Sequence, residues 1–332
     1  MMIDGEAEEE GKPSPLRTFG RAVGAIRLPA RQLVKAAINY KHQRRFWLRL
    51  AAFDLLAKFS PAVAVETEGT RYYLATADWP FSRVVFGMGS YEGEIMAEAI
   101  ALVERATHSR PLLRGRTFID VGANIGTSSI PAVKKFGASE VIAFEPDAET
   151  YKLLRCNVIA NDLEDRVRTI RTGLSNSSGA GILEHSETSW ADHRIRIGDG
   201  AVGGVFNEAN RATVEVPLAR LDDVVRDLPI DLDRVGLLWM DVQGHEAHVL
   251  AGASNLLARD IPVVMEYWPY ALRRADGLSM LNQIVADNYT RVVDVRASMS
   301  YTSIVEVPAA NLSELEAIYG EDLAYTDLIL LK

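Results

Sequence analysis

The segment Thr117-Phe-Ile-Asp-Val-Gly-Ala-Asn-Ile-Gly126 joins a short apolar run to a glycine turn. Four further apolar runs follow along the chain, at residues 141–144, 167–170, 235–238 and 261–265. The patterns between them predict helices over residues 127–136, 148–160, 245–258 and 270–287. Short apolar strands that alternate with helices are typical of a parallel sheet that is covered on both faces. We therefore predict an α/β fold.

Three other regions depart from this alternation. Residues 1–15 are acidic and contain two prolines, which predicts a disordered tail. Residues 16–61 predict a basic, helical N-terminal extension, and residues 62–332 form the main domain. Within that domain, residues 176–234 are polar and rich in glycine. We interpret them as an elaboration over the active site at the strand ends.

Composition and charge exclude several classes of protein. The 332 residues are 48% hydrophobic and 24% charged, as in ordinary globular proteins. The single cysteine, Cys156, permits no intrachain disulfide and no cysteine-based zinc cluster, and we expect it in the core. No signal pattern and no apolar run of the ~18 residues that a membrane span needs is present, which predicts a soluble cytoplasmic protein.

The net charge of −9 is unevenly distributed. Residues 11–53 carry ten Lys or Arg and no acid, which leaves an acidic remainder of the chain. An acidic body argues against broad nucleic-acid binding. Within residues 31–58, basic and apolar side chains alternate, which is compatible with peripheral contact with an anionic membrane. The favoured alternative is a helix that packs on the acidic body.

The glycine turn and the acid after the next strand together indicate a nucleoside ligand. The turn has the spacing G-x-x-x-G, with Asn124 where a dinucleotide fingerprint would have its middle glycine, so no pyrophosphate cradle is implied. Glu145 follows the next strand, where a carboxylate accepts hydrogen bonds from ribose hydroxyls. These features favour S-adenosylmethionine over NAD. Alternatively, the turn only packs a helix on a strand and Glu145 is a solvated acid.

Three stretches resemble FkbM-type methyltransferases: residues 118–126, Ala143-Phe-Glu-Pro146 and Met240-Asp-Val-Gln-Gly-His-Glu246. The resemblance covers roughly residues 62–331. It implies a Rossmann-like, seven-stranded, mostly parallel sheet, S-adenosylmethionine as cofactor, and O-methylation of sugars or natural products. Trp239 departs from the family, in which a lysine is common at that place.

The resemblance also implies roles for individual residues. Asp120, Gly122, Asn124 and Gly126 would surround the methionine part of the cofactor, and Glu145 would hold the ribose. The adenine would lie near residues 172–175.

Methyl transfer to a hydroxyl requires a base at the strand ends. Asp241 and His245 are the candidate bases, and Glu266 ends the next strand as a third catalytic candidate. Glu246 is interpreted as a structural acid of the first helical turn. Hard ligands gather here, but no spacing is diagnostic of a metal and we expect none. Trp190 and Tyr91 are the candidate residues for binding the substrate.

Two alternative functions stay open beside transfer to a small-molecule or glycan acceptor. One is a nucleic-acid methyltransferase that docks through its basic N-terminal arm, although the place after Met240 lacks the proline signature of base N-methylation. The other is a non-catalytic module that binds nucleosides. We expect no nucleic-acid partner, and the oligomeric state is left open.

Overall fold

The computed structural model describes residues 43–91, 93–108, 111–198, 204–228, 230–301 and 303–332. The predicted acidic tail, and most of the predicted basic extension, lie outside the described residues. Within the described part of the chain, no helix is both long and apolar enough to cross a membrane.

The described chain begins with a helix, a hairpin and two further helices. These elements are α1 (Gln43–Leu56), β1 (Ala62–Thr67), β2 (Thr70–Ala75), α2 (Trp79–Met88) and α3 (Gly93–Thr107). Helix α1 packs closely on α2. The contact is so close that a Cβ on Gly87 would lie only 2.6 Å from the Leu50 side chain. Phe46, Leu50 and Phe53 are buried in this contact region.

From residue 117 onward, strands and helices alternate as predicted. The elements of the first half are β3 (Thr117–Val121), α4 (Ser129–Lys134), β4 (Glu140–Phe144), α5 (Ala148–Ala160), β5 (Val167–Ile170), β6 (Gly173–Leu174), β7 (Gly179–His185), β8 (Arg194–Ile195), β9 (Ala212–Ala219) and α6 (Leu221–Asp227). Those of the second half are β10 (Val235–Met240), α7 (Glu246–Ala251), α8 (Ser254–Leu257), β11 (Val263–Tyr267), α9 (Pro269–Arg274), α10 (Leu278–Asn288), β12 (Arg291–Asp294), α11 (Val295–Tyr301), β13 (Val305–Pro308), α12 (Glu316–Tyr319) and β14 (Thr326–Leu331). Short 3₁₀ turns lie at Trp190–Asp192, Glu208–Asn210, Leu232–Arg234 and Ala309–Leu315.

The main sheet has the strand order β13-β12-β14-β11-β10-β3-β4-β5. The five strands from β11 to β5 are mutually parallel, and β14 runs antiparallel between β11 and β12. Their alternate side chains enter two cores, with Phe118 on one face and Ile119 on the other. The predicted Rossmann-like, mostly parallel sheet is therefore confirmed, and β13 adds an eighth, antiparallel edge strand.

A second sheet occupies most of the stretch that interrupts the alternation. It has four strands in the order β6-β9-β7-β8, with β7 and β9 paired over seven residues. Its first strand, β6, follows β5 almost directly, so this small sheet begins beside the carboxyl ends of the main sheet.

Two predicted helices are each divided into two shorter helices. The helix expected over 245–258 divides into α7 and α8 at Gly252, because a Cβ there would collide with the carbonyl oxygen of Ser175. The helix expected over 270–287 divides into α9 and α10, where Asp276 adopts a positive φ of 52°.

Helix α5 joins the N-terminal hairpin to the glycine turn. The Asn161 side chain accepts a hydrogen bond from the N–H of Arg71 in β2 and donates one to the Arg71 carbonyl. The Asn157 side chain does the same with Tyr73, so the two amides pair with β2 as a neighbouring strand would. Asn157 also donates to the carbonyl of Ile125, over 2.9 Å. The expectation that Cys156 lies in the core is wrong: it is exposed, because the buried face of α5 carries Leu154, Asn157 and Val158.

Candidate functional site

A cleft opens at the carboxyl ends of β3, β4, β5 and β10, where ligands bind in open α/β sheets. It encloses about 980 Å³, including open solvent at its mouth. The small sheet and the N-terminal helices contribute to its walls, so the cleft is formed by three parts of the chain.

The glycine turn passes directly under the end of β10. Gly122 has a φ of 83°, and a Cβ there would collide with the carbonyl oxygen of Asp241. Gly126, with a φ of 93°, contacts Leu154 and Ile130 instead and does not line the cleft. Of the predicted methionine-binding residues, Gly122 and Asn124 therefore face the cleft, and Gly126 brings a helix against the sheet.

Asp120 supports this turn from below. Its side chain is fully buried, and one oxygen accepts hydrogen bonds from the Ser128 hydroxyl, at 2.6 Å, and from Ser129. Burial raises the pKa of Asp120 to about 6. Asp120 is absent from the lining of the cleft, so its contacts orient the turn.

Glu145 is held in place by two backbone amides. The N–H of Asn124 donates to one carboxyl oxygen at 3.1 Å, and the N–H of Asp147 donates to the other at 2.9 Å. Burial raises the pKa of Glu145 to about 8, and the negative charge of Asp147 adds to the effect. Each carboxyl oxygen still has a lone pair, so a diol in the cleft can donate to this group.

Asp241, Gln243 and Glu266 form one hydrogen-bonded group. Gln243 Nε2 donates to Asp241 Oδ1 and, at 3.3 Å, to Glu266 Oε2. Because carboxylates accept and do not donate, the amide nitrogen must face the two acids and the amide oxygen must face elsewhere. Asp241 and Gln243 line the cleft, whereas Glu266 lies behind Gln243.

Sequence reasoning gave Gln243 no role, although it lies in the motif that carries Asp241. Gln243 is buried and has a φ of 61°, which only the folded turn reveals. The positive φ at Gln243 turns the chain after Asp241. The side-chain amide of Gln243 thereby lies beside both Asp241 and Glu266.

His245 points away from the cleft. It is buried, its Nε2 lies 2.9 Å from the Ser175 hydroxyl, and its ring stacks on His248 at 4.5 Å. Burial lowers the pKa of His245 to about 3. The structure thus separates the two candidate bases, with Asp241 in the wall of the cleft and His245 beneath it.

Glu246 closes the loop after β10. One carboxyl oxygen accepts from the N–H groups of Val242, at 3.2 Å, and Gly244, at 3.3 Å. Burial raises the pKa of Glu246 to about 7, and the charge of Glu266 contributes to the rise. These contacts agree with a structural acid in the first helical turn.

Trp190 and Tyr91 both line the cleft. The backbone N–H of Trp190 donates to the carboxyl of Asp78 at 3.0 Å, and the Ser189 hydroxyl donates to the same oxygen at 3.3 Å. Asp78 therefore ties the segment that carries Trp190 to the start of α2, a role that sequence reasoning missed. The Tyr91 ring lies 4.5 Å from that of Phe81.

Among the described residues, one group of His and Asp side chains is close enough to share a metal ion: Asp147, His185 and His193. It differs from the strand-end acids Asp241, Glu246 and Glu266. Asp147 caps α5, whereas His185 ends β7 and His193 precedes β8 of the small sheet.

A model of the methyltransferase FkbM domain matches residues 120–307. The chain is 32% identical over 171 residues to the methyltransferase sdnD of Sordaria araneosa. This alignment covers 45% of this chain and 65% of sdnD. It is 26% identical over 156 residues to the 2-O-methyltransferase NoeI of Sinorhizobium fredii, in an alignment that covers 45% of this chain and 62% of NoeI. It is 29% identical over 147 residues to the hexuronic acid methyltransferase AglP of Haloferax volcanii, covering 44% and 54%.

Each of these alignments spans less than two thirds of the curated relative. A solved FkbM methyltransferase from Methylobacillus flagellatus aligns with a TM-score of 0.38 and 14% identity, over 85% of this chain and 58% of that one.

The domain match covers more than half of the chain and includes both the glycine turn and the Asp241 loop. The chain therefore carries a methyltransferase domain of the S-adenosylmethionine-dependent class. It belongs to the FkbM methyltransferase family.

The residues of the cleft fit this cofactor. Asn124 Oδ1 and Gln243 Oε1 are buried acceptors without a partner among the described residues, and Glu145 adds a carboxyl group. No Lys or Arg lines the described part of the cleft. Such acceptors suit a ligand that carries a sulfonium, an ammonium and ribose hydroxyls.

Proposed function

We propose that the chain methylates a hydroxyl oxygen of a sugar, a glycan or a related natural product. The observation that carries this proposal is Asp241, a carboxylate in the cleft wall that Gln243 holds in one orientation. A hydroxyl acceptor must lose its proton as the new bond forms, and a positioned carboxylate can accept it.

In the proposed arrangement, Glu145 holds the ribose, while Gly122 and Asn124 border the methionine part of the cofactor. S-adenosylmethionine, when bound, supplies a methyl group on an activated sulfonium. Asp241 takes the proton of the acceptor hydroxyl, and Gln243 and Glu266 keep Asp241 aligned. Alignment is the main task of the protein, because the donor is already activated.

The walls of the cleft favour an acceptor of neutral charge. Trp190 and Tyr91 present aromatic surfaces on which a sugar ring can lie, and the described charged groups of the cleft are acids. A uronate would meet like charge there, which is unfavourable in a partly buried site. The name of NoeI, a 2-O-methyltransferase, supports transfer to oxygen. The name of AglP supports a sugar acceptor, of the uronic acid class, so neutral glycosides and uronides must be compared directly.

A test uses labelled S-adenosylmethionine with matched acceptors, 4-nitrophenyl glucoside and 4-nitrophenyl glucuronide, beside a panel of other glycosides and an RNA. We expect methyl ethers of neutral glycosides, formed at higher kcat/KM than those of the matching uronides. Asp241→Asn should slow transfer by ~100-fold or more, because the base is lost. It should bind S-adenosylhomocysteine as the wild type does.

Full activity of Asp241→Asn on an acceptor would contradict the proposed base. Labelling of the RNA alone would instead favour a nucleic-acid methyltransferase.

A further inference from the structure

Asp147, His185 and His193 form a small cluster beside the cleft. Asp147 caps α5, with one oxygen accepting from the N–H groups of Glu149, at 3.0 Å, and Thr150, at 2.9 Å. Its other oxygen lies 2.9 Å from His185 Nε2. The His185 ring stacks on that of His193, with centroids 4.4 Å apart and planes inclined by 22°.

The hydrogen bonds of His193 determine where its proton lies. The backbone N–H of Ser186 donates to His193 Nδ1 at 3.1 Å. A backbone amide can only donate, so Nδ1 carries no proton and the neutral ring must carry it on Nε2. Burial lowers the pKa of His193 to about 4, and the neighbouring His185 adds to the effect. The ring is therefore neutral at neutral pH.

His193 lies on the same side of the cleft as Glu145. The N–H of Asp147 donates to Glu145, so the cluster adjoins the carboxylate that faces the ribose in the proposed arrangement. The next strand, β8, continues this wall: a Cβ on Gly173 would lie 2.9 Å from Ile195 and 3.6 Å from Pro146. Gly173 belongs to the loop where we expect the adenine. His193 itself lines the cleft.

We propose that His193 binds the adenosine part of the cofactor, with Nε2–H donating to a ring nitrogen or a ribose oxygen. This inference rests on the cofactor orientation proposed above. Adenosine offers several acceptors, and once the ribose hydroxyls donate to Glu145 in the proposed arrangement, that carboxylate can only accept and cannot serve them. The nearby Thr172 hydroxyl already donates to the Pro217 carbonyl at 2.9 Å. The small sheet thereby supplies a polar contact to the cofactor as well as a cover.

The same geometry disfavours a metal ion in this cluster. Stacked imidazole rings direct their lone pairs side by side rather than toward a common point. Coordination through His193 Nε2 would also require a proton on Nδ1, where the Ser186 N–H already donates.

The test is calorimetric titration of the full chain with S-adenosylhomocysteine and with 5′-methylthioadenosine, which lacks the amino-acid part. His193→Phe keeps a ring but removes the donor, and should weaken both ligands by the same factor, about three- to tenfold. His193→Gln returns a donor near the Nε2 position and should restore both affinities to within about twofold. His185→Phe keeps a stacked ring without removing the donor, and should change either affinity less than about twofold.

Wild-type affinity of His193→Phe for both ligands would overturn the proposal, as would a loss confined to S-adenosylhomocysteine. Stoichiometric metal in the purified protein, with a chelator reproducing the loss, would replace it with a metal site. Glu145→Ala tests the proposed cofactor orientation independently of the His193 contact. If Glu145→Ala binds normally, the cofactor orientation fails; if only His193→Phe binds normally, the His193 contact alone fails. Equal thermal unfolding midpoints of wild type, His193→Phe and His193→Gln would show that folding is intact.

Discussion

At the scale of single residues, Glu145 shows how a buried carboxyl is prepared for a ligand. Two backbone N–H groups orient it, while burial raises its pKa to about 8. Ribose hydroxyls can replace part of the hydration that burial removes. In the proposed arrangement, binding of a diol therefore offsets part of the free energy cost of burying this acid.

We predict that Glu145→Ala weakens binding of S-adenosylhomocysteine by roughly 1.5–3 kcal/mol, because the hydrogen bonds that the ribose hydroxyls donate to the carboxylate in the complex are lost. Isothermal titration measures the change. Glu149→Ala is a matched control, since Glu149 lies on the next helix and pairs with Lys152 at the surface. An unchanged affinity in Glu145→Ala would remove this acid from the site.

At the scale of elements, α1 has two apolar faces. One packs on α2, where Asp54 also pairs with Arg83 at 2.8 Å. The other exposes Leu48, at 68%, and Trp47, and the chain continues into Phe59, at 81%. Packing on the domain and contact with a membrane are thus compatible for this segment, and membrane contact through residues 31–58 stays a prediction.

We predict that the double variant Leu48→Glu, Phe59→Glu binds vesicles of phosphatidylglycerol about tenfold or more weakly than the wild type. It removes apolar area and adds negative charge at an anionic surface. Co-sedimentation with vesicles measures the effect. The control is Ile318→Glu, which changes an equally exposed apolar residue on α12. Equal sedimentation of all three proteins would exclude this face as the contact.

Deletion of residues 1–58 is not equivalent to that double variant. It would uncover the hydrophobic contact of Phe46, Leu50 and Phe53. We therefore expect the truncated chain to be destabilised, in contrast to the double variant.

At the scale of the whole molecule, several buried carboxyls link stability to pH. Burial raises the pKa of Asp78 and Glu246 to about 7 and that of Glu145 to about 8, whereas the unfolded values are near 4 to 4.5. Between these limits the folded state holds more protons, so the free energy of unfolding falls as pH rises. His193 and His245 act in the opposite sense, but only below their unfolded pKa of about 6.5.

We therefore predict that the free energy of unfolding decreases between pH 6.5 and 8. Glu145→Gln keeps a neutral side chain at all pH values, and should reduce this slope by up to about 1.4 kcal/mol per pH unit. Urea unfolding of both proteins at pH 6.5, 7.25 and 8 measures it. Parallel stability profiles of the two proteins would show that Glu145 ionises in the folded state as it does in the unfolded chain.

The amino-acid sequence by itself determined the parallel sheet, the family and the cofactor. Buried parallel strands need continuous apolar runs, and the glycine turn must keep its residue types because Gly122 lies against the Asp241 backbone. These are local requirements, so they can be seen in short stretches such as residues 117–126. The sequence also placed Glu145 and Asp241 at strand ends, which a parallel sheet brings to one edge.

Only the tertiary structure decided which side chains share the cleft. His245 and Gln243 lie two residues apart, yet the positive φ of Gln243 turns one under the sheet and the other into the wall. His193 and Asp78 reach the site from distant segments, through contacts such as the Asp78–Trp190 hydrogen bond that spans 112 residues. Such contacts depend on packing between elements, and side-chain burial depends on the same packing. Contacts between distant segments leave no local pattern in the sequence, so neither the exposure of Cys156 nor the position of His193 in the cleft wall could be predicted from it.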